Sequence, residues 1–489
     1  MEEKREKGLS AWQLTMMAIG SVIGGSFFLG SSVAIHSAGP SIIISYILGG
    51  ILVYFILFAL SEMTANNPGA GSFKGFAAAA YGQGAGFITG WVYWTGMILA
   101  MSSEATAISI LVKNWFPNIS TTIVGTSIIV GVTLVNLLGA SRLSKLESSL
   151  AGVKLITIVA FILMALLLIL GLIKGAATGG TVNYTRPAFL SEPFFANGFR
   201  GLAGSMLIIM FAYAGFEVVG LAASEARQPK VTVPKAIRKI VVLLLSLYII
   251  SVGVLLFLIP TNDIHEDTSP MVAVLNRFGF GWAGTVLNIV LITAILSTML
   301  ASMFGLGRMI RSLADEGQAP GFLKDKKEVP YKGIVFSGIC MLLGLFIGLL
   351  LPQVYLFLIS AGGFSSLFTY AMIMASHIHF RKKHGKPEDK LRLAGFPYSS
   401  LFVLLCLIAA IACMPFIKGQ GDGLIAGLAI LGFYGISYFF MRLFQKARGE
   451  KISPYRSESR FQYEISKELS ETDKESDNSA NMNKKREDS

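Results

Sequence analysis

Two glutamates and a lysine stand where an apolar chain tolerates charge least. Glu217 lies in FAYAGFEVVG, Glu104 in MSSEATA and Lys154 in AGVKLITIVAF, each within a run otherwise fit to cross a bilayer. Ionisable groups at that depth are costly and by default mark ion or substrate paths, proton relays or counter-ions. Two interruptions accompany them. One is Ile23, Gly24, Gly25 and Ser26 in AIGSVIGGSFFLGSS; the other is Phe211, Ala212, Tyr213, Ala214 and Gly215. A helix broken inside a membrane frees backbone groups that protein, water or a bound molecule must satisfy. The chemistry on offer is therefore binding rather than bond making. Freed N–H groups around Gly24, Gly25 and Ser26 would suit a carboxylate, aided by the positive end of a half-helix. Freed carbonyls around Phe211, Ala212 and Ala214 would suit an ammonium. Close packing through small residues is the alternative for both stretches.

Such a site needs long apolar elements to hold it. The chain has 489 residues, 53% hydrophobic and 14% charged, with a mean hydropathy of +0.63. Soluble domains carry about 25% charged residues. Apolar segments fall at about 14–37, 40–64, 86–113, 121–140, 149–173, 199–223, 237–259, 281–307, 333–351, 354–378, 398–417 and 423–443. Each is long enough for a hydrocarbon core of ~30 Å, and continuous runs speak against a β-barrel. The expectation is an all-α polytopic membrane protein with twelve transmembrane helices. The interruptions fall in spans one and six, the same place in two five-helix halves, which points to a 5+5 inverted repeat with helices 1 and 6 broken. The expected divisions are an N-terminus at 1–13, a first repeat at 14–173, a second at 199–378, and two extra helices at 398–443.

Charge sets the expected orientation. Before the tail, 23 basic residues lie on the side of the N-terminus, from Lys4, Arg5 and Lys7 to the FRKKHGKPEDKLR loop. Six lie on the other: Lys113, Lys174, Arg186, Arg200, Arg277 and Lys418. The positive-inside rule places both termini in the cytoplasm of a plasma-membrane protein. It also accounts for the net charge of +12, so no nucleic-acid partner is expected. From 446 to 489 charges of both signs dominate, as in a disordered cytoplasmic tail. Cys340, Cys406 and Cys413 have no disulfide or metal spacing, and neither metal nor cofactor is expected.

Five motifs in order carry a family resemblance. They are IGGSFF at 23–28, GWVYWTGMILAMSSEATAISILVKNWFP in span three, FAYAGFEVVGLAASEARQPKVTVPKAI in span six, STMLASMFGLGRMIRSLADEGQAPGF in span eight and FTYAMIMASHIHFRKK in span ten. The chain resembles the amino acid–polyamine–organocation transporters, and within them the bacterial amino acid permeases, over about residues 9–445. The resemblance implies a LeuT-like fold and the same substrate positions on both breaks. It implies that Phe211 closes over the substrate as a gate, and that Lys154 occupies a place where sodium-coupled relatives bind the ion. Ser26 replaces a glycine usual in that family, and SSEATA replaces its A-E-L-T-A, both close to the expected pocket.

Other residues are read from position alone. Met101 and Ser297, with Met97 and Thr293, are candidates for the side-chain end of the pocket. Lys154 either couples its charge to gating or snorkels to the cytoplasmic interface. Glu104 reads as pocket-side or proton-linked, Glu217 as a structural or conformational switch, and Glu62 as a structural gate contact. The expected function is uptake of an amino acid by alternating access, with the proton as candidate coupling ion. An exchanger and a receptor signalling through the tail are the alternatives. No Walker-type loop, H-E-x-x-H or suitably placed G-x-S-x-G argues for ATP drive or enzyme chemistry. Neutral substrates are expected ahead of cationic ones, γ-aminobutyrate or polyamines, because no acidic pair stands in the pocket.

Overall fold

The computed structural model describes residues 10–66, 73–138, 140–177, 180–182, 187–217, 219, 226–325, 329–350, 353–385, 391–417 and 419–447. Gly220, Glu225 and nearly all of the expected tail lie outside these residues, as do the side chains of Arg142 and Lys145.

Helix dominates because the chain offers long runs of residues whose backbone can be satisfied only internally in lipid. In order the helices are α1 (Ala11–Val22), α2 (Gly25–Phe28), α3 (Gly30–Ala38), α4 (Ile42–Asn66), α5 (Phe73–Tyr81), α6 (Gln83–Lys113), α7 (Thr121–Asn136) and α8 (Ala140–Ile169). There follow α9 (Gly198–Ala212), α10 (Pro229–Leu258), α11 (Pro270–Arg277), α12 (Gly281–Asp315), α13 (Tyr331–Leu349), α14 (Val354–His384), α15 (Tyr398–Cys413) and α16 (Gly421–Ala447). A two-strand hairpin, Gly175–Ala177 with Gly180–Val182, follows α8. A capping box starts α1: Ser10 Oγ accepts from the Gln13 N–H, and Gln13 Oε1 from the Ser10 N–H.

Among the described residues nine helices are long and apolar enough to cross a membrane, and α7 and α9 are shorter apolar helices. The sequence divides residues 14–64 into an interrupted segment, 14–37, and a second one, 40–64. At that division a 3-10 turn, Gly39–Ser41, joins α3 to α4, with Gly39 at φ +62°. The sixth segment is cut short because α9 ends at Ala212, where the glycine-rich break begins. The eighth runs on to Asp315 and the twelfth to Ala447.

Burial sorts the helices into a core and a rim. The most apolar windows of α6 and α14 are 72% and 78% buried, whereas those of α15 and α16 are 22% and 6% buried. Rim helices expose Leu163, Leu343, Leu405 and Phe433, the pattern of a chain whose outer solvent is hydrocarbon. The core pair meets through small residues. A β-carbon on Gly362 would lie 3.2 Å from the Gly96 carbonyl oxygen and 3.4 Å from the Ala100 nitrogen. Backbone thus packs on backbone between α6 and α14, as small residues permit in membranes.

Candidate functional site

The first break follows from the bond pattern around two glycines. Ile23 N–H makes the last bond of α1, to the Ile19 carbonyl (3.2 Å), and Gly24 is extended at φ −138°, ψ −162°. The Gly24 carbonyl then accepts from the N–H groups of Phe27 and Phe28, restarting the helix. The N–H groups of Gly25 and Ser26 turn to Glu104 of α6, at 2.8 Å from Oε2 and 3.3 Å from Oε1.

Lys154 closes the other side of this break. Its side chain is 1% exposed and does not snorkel. Nζ donates to the Gly20 carbonyl (3.1 Å) and to Thr298 Oγ1 of α12 (2.8 Å). Thr298 Oγ1 lies 3.3 Å from the Ile23 carbonyl, to which it is also a donor. A cation here faces the carbonyl end of α1, where a helix favours positive charge.

The second break is built around Glu217. Tyr213 N–H bonds to Ile209 O and Ala214 N–H to Phe211 O, and Gly215 then takes φ +105°. Glu217 Oε2 accepts from the Gly215 N–H (2.9 Å) and the Tyr370 hydroxyl (3.2 Å), and Oε1 from the Tyr93 hydroxyl (3.1 Å). One buried carboxylate thus ties the break to α6 and α14. The two breaks touch directly: Ser21 Oγ lies 3.0 Å from the Gly215 carbonyl, as it does from the Met17 and Ala18 carbonyls of its own helix, and shares one hydrogen among them. A β-carbon on Gly215 would stand 2.6 Å from the Ser21 carbonyl oxygen and 3.3 Å from the Val22 nitrogen. Gly215→Ala is therefore expected to cost about 2–3 kcal/mol, combining a left-handed φ with overpacking. A lower thermal midpoint for the purified variant checks this; an unchanged midpoint speaks against it.

Two of the three carbonyls assigned to an ammonium already have partners: Phe211 O accepts from Ala214 N–H, and Ala212 O accepts from the Tyr248 hydroxyl of α10 at 3.1 Å. Each retains a second lone pair, but neither is the open acceptor that a simple break would leave. Tyr213 turns away to donate to the Tyr46 carbonyl at 3.1 Å. Phe211 is buried, with Cε2 3.6 Å from where a β-carbon on Gly362 would lie. Met101 and Ser297 are buried, and Ser297 Oγ has no hydrogen-bond partner among the described residues. Thr293 bonds to its own helix, at Val290 O.

Sequence reasoning missed Thr298, Tyr93, Tyr248, Tyr370 and Tyr355. The available signal was chemical: a phenol in an apolar helix needs a partner for its hydroxyl.

Glu62 lies about 30 Å along α4 from the Ser37 end, by helix rise. It is buried beside Arg381 Nε (2.6 Å to Oε1) and His377 Nε2 (3.3 Å to Oε2), and its Oε2 accepts from the Leu393 N–H. The Glu62–Arg381 contact is close as a charge pair but not aligned as a hydrogen bond. Arg381 Nη2 also donates to the Leu393 carbonyl at 3.1 Å. Lys74 and Glu316 form a further ion pair, at 2.7 Å. At the Ser37 end instead lies a cavity of ≈ 940 Å³, whose lining includes Val33, Arg200, Ile208, Glu266 and Gln353.

A polytopic helical membrane protein with two broken helices in contact, and buried charges bound to both, has the construction of a carrier rather than an enzyme. A family model described as amino acid permease matches residues 13–421, and the chain belongs to that family. It is 33% identical to the gamma-aminobutyric acid permease of Bacillus subtilis (strain 168), over 89% of this chain and 94% of that one. It is 32% identical to the aromatic amino acid transport protein AroP of Escherichia coli (strain K12), over 91% and 97%. An uncharacterized amino acid permease of B. subtilis (strain 168), YtnA, is 32% identical over 85% and 90%. Amino acid transport across a membrane is the function this family carries.

Proposed function

We propose that the protein imports a neutral amino acid across the plasma membrane by alternating access, coupled to a proton, with twelve spans in a LeuT-like 5+5 inverted repeat and both termini cytoplasmic. The observation that carries this reading is the contact between the breaks, Ser21 to Gly215, with Lys154 and Glu104 bound to the first and Glu217 to the second. The substrate carboxylate takes N–H groups around Gly24, Gly25 and Ser26. Its ammonium takes the remaining acceptor capacity around Phe211, Ala212 and Ala214, with Met101 and Ser297 towards the side chain. Lys154 ties α1 to α12, so its charge is placed to link ion state to the first break. The relatives named for γ-aminobutyric acid and for aromatic amino acids point to substrates with one carboxylate, one ammonium and no net charge. The cavity beside Ser37 is the external entrance, and the Glu62–Arg381 cluster closes the cytoplasmic end.

The test is uptake into proteoliposomes. Vesicles loaded only with buffer, with acid outside, are expected to accumulate labelled L-phenylalanine or γ-aminobutyrate, and collapse of the pH gradient stops it. Uptake that needs preloaded amino acid and ignores the gradient identifies an exchanger instead. Tight binding without flux in either arrangement overturns the transport reading.

A further inference from the structure

Glu104 is 4% exposed and grips two successive backbone N–H groups with its two oxygens. The fit is close. A β-carbon on Gly25 would lie 2.3 Å from Oε2, and one on Gly24 3.3 Å from Oε1. Gly25 and Ser26 are the donors that the proposed function gives to the substrate, and an N–H cannot serve two carboxylates at full strength. The protein therefore holds its own carboxylate where a ligand's would go.

A second buried polar group stands on the far side of the same break. Tyr355 of α14 is 7% exposed, and its hydroxyl has no hydrogen-bond partner among the described residues. Tyr355 Oη lies 3.5 Å from where a β-carbon on Gly30 would be, five residues beyond Gly25. A buried hydroxyl left unpaired costs stability, and a carboxyl turning to it would remove that cost. The groups that neighbouring helices bring to this break are Lys154 of α8, bonded to Thr298 of α12, whose Oγ1 flanks Gly24, and Tyr355 of α14 beside Gly30.

We propose that Glu104 holds the place of the substrate carboxylate in the empty carrier, and that substrate enters only as Glu104 takes a proton and turns to the Tyr355 hydroxyl. This rests on the reading of the two breaks as a substrate clamp. A proton from water bonds to one Glu104 oxygen, its two hydrogen bonds from Gly25 and Ser26 break, and two form to the incoming carboxylate. One carboxylate replaces another on the same donors, so the added proton travels with the substrate, one for one. Release reverses each step: the substrate leaves, the proton returns to water and Glu104 closes back onto Gly25 and Ser26.

The experiment uses the full chain, purified, with the twenty standard amino acids and γ-aminobutyrate as thermal-shift probes between pH 5.5 and 8.5. The best stabiliser is then titrated against wild type, Glu104→Gln and Tyr355→Phe. Wild-type affinity is expected to weaken up to about tenfold per pH unit on the alkaline side, because binding then requires a proton taken from solution. Glu104→Gln flattens that dependence, binds at least about tenfold tighter than wild type at pH 8, and retains exchange but not gradient-driven accumulation. Tyr355→Phe keeps the pH slope but binds more weakly at every pH. A folded Glu104→Gln with the wild-type slope, with intact gradient-driven accumulation or with no binding at all overturns the proposal. If no probe is bound or carried by wild type, the transport reading itself fails, a result distinct from any of these.

Discussion

Lys154→Met is expected to reduce gradient-driven amino acid uptake into empty proteoliposomes by about a hundredfold or more, while the protein still inserts and elutes as a folded species. Methionine keeps the length of the side chain and much of its volume, so packing within α8 survives. What disappears is the ammonium bonded to the Gly20 carbonyl and Thr298 Oγ1. Hydrogen bonds to a buried charge contribute about 1.5–3 kcal/mol each. Losing two removes roughly 3 kcal/mol or more from the state that holds α1 against α12, and each 1.36 kcal/mol is tenfold in rate. Substrate binding is affected less, because Lys154 contacts the carbonyl end of α1 rather than Gly25 or Ser26. Full pH-dependent uptake by this variant would end the coupling role given to Lys154.

Arg381→Ala is expected to lower the stability of the purified protein by about 3–5 kcal/mol, the usual effect of removing one partner of a buried ion pair. Glu62 is fully buried, and without Arg381 its charge keeps only the Leu393 N–H and the neighbouring His377. The same substitution frees the Leu393 carbonyl, so the segment before α15 loses its tie to α14 and keeps only the Leu393 N–H bond to Glu62 of α4. The diagnostic is a second change. Glu62→Leu added to Arg381→Ala removes the orphaned charge and should recover part of the loss, measured as the thermal midpoint in detergent. A double variant less stable than the single one by the full cost of Glu62→Leu alone would show that the two side chains act independently.

The spans and the two breaks were legible because their signals are local. Hydropathy over about 20 residues marks a span, and a cluster of glycine and serine around Gly24 or Gly215 marks where a helix weakens. The costly charges Glu104, Lys154 and Glu217 were legible for the same reason. Their partners were not. Glu104 meets Gly25 across 79 positions of sequence, and Lys154 meets Thr298 across 144. Nothing in either segment names the other. The carbonyl of Ala212 looked open because the residue that occupies it, Tyr248, stands in a helix whose composition is that of any apolar span.

The contact of Gly96 and Gly362 has a mechanical consequence. Where backbone lies this close to backbone, with only the small Ser365 side chain against Gly96, little can re-pack, so α6 and α14 are expected to shift together. The backbones of Glu104, Tyr93, Tyr355 and Tyr370 all belong to that pair of helices. The slack in the backbone is then expected in the broken helices, while on the α6 side only the Glu104 side chain need turn.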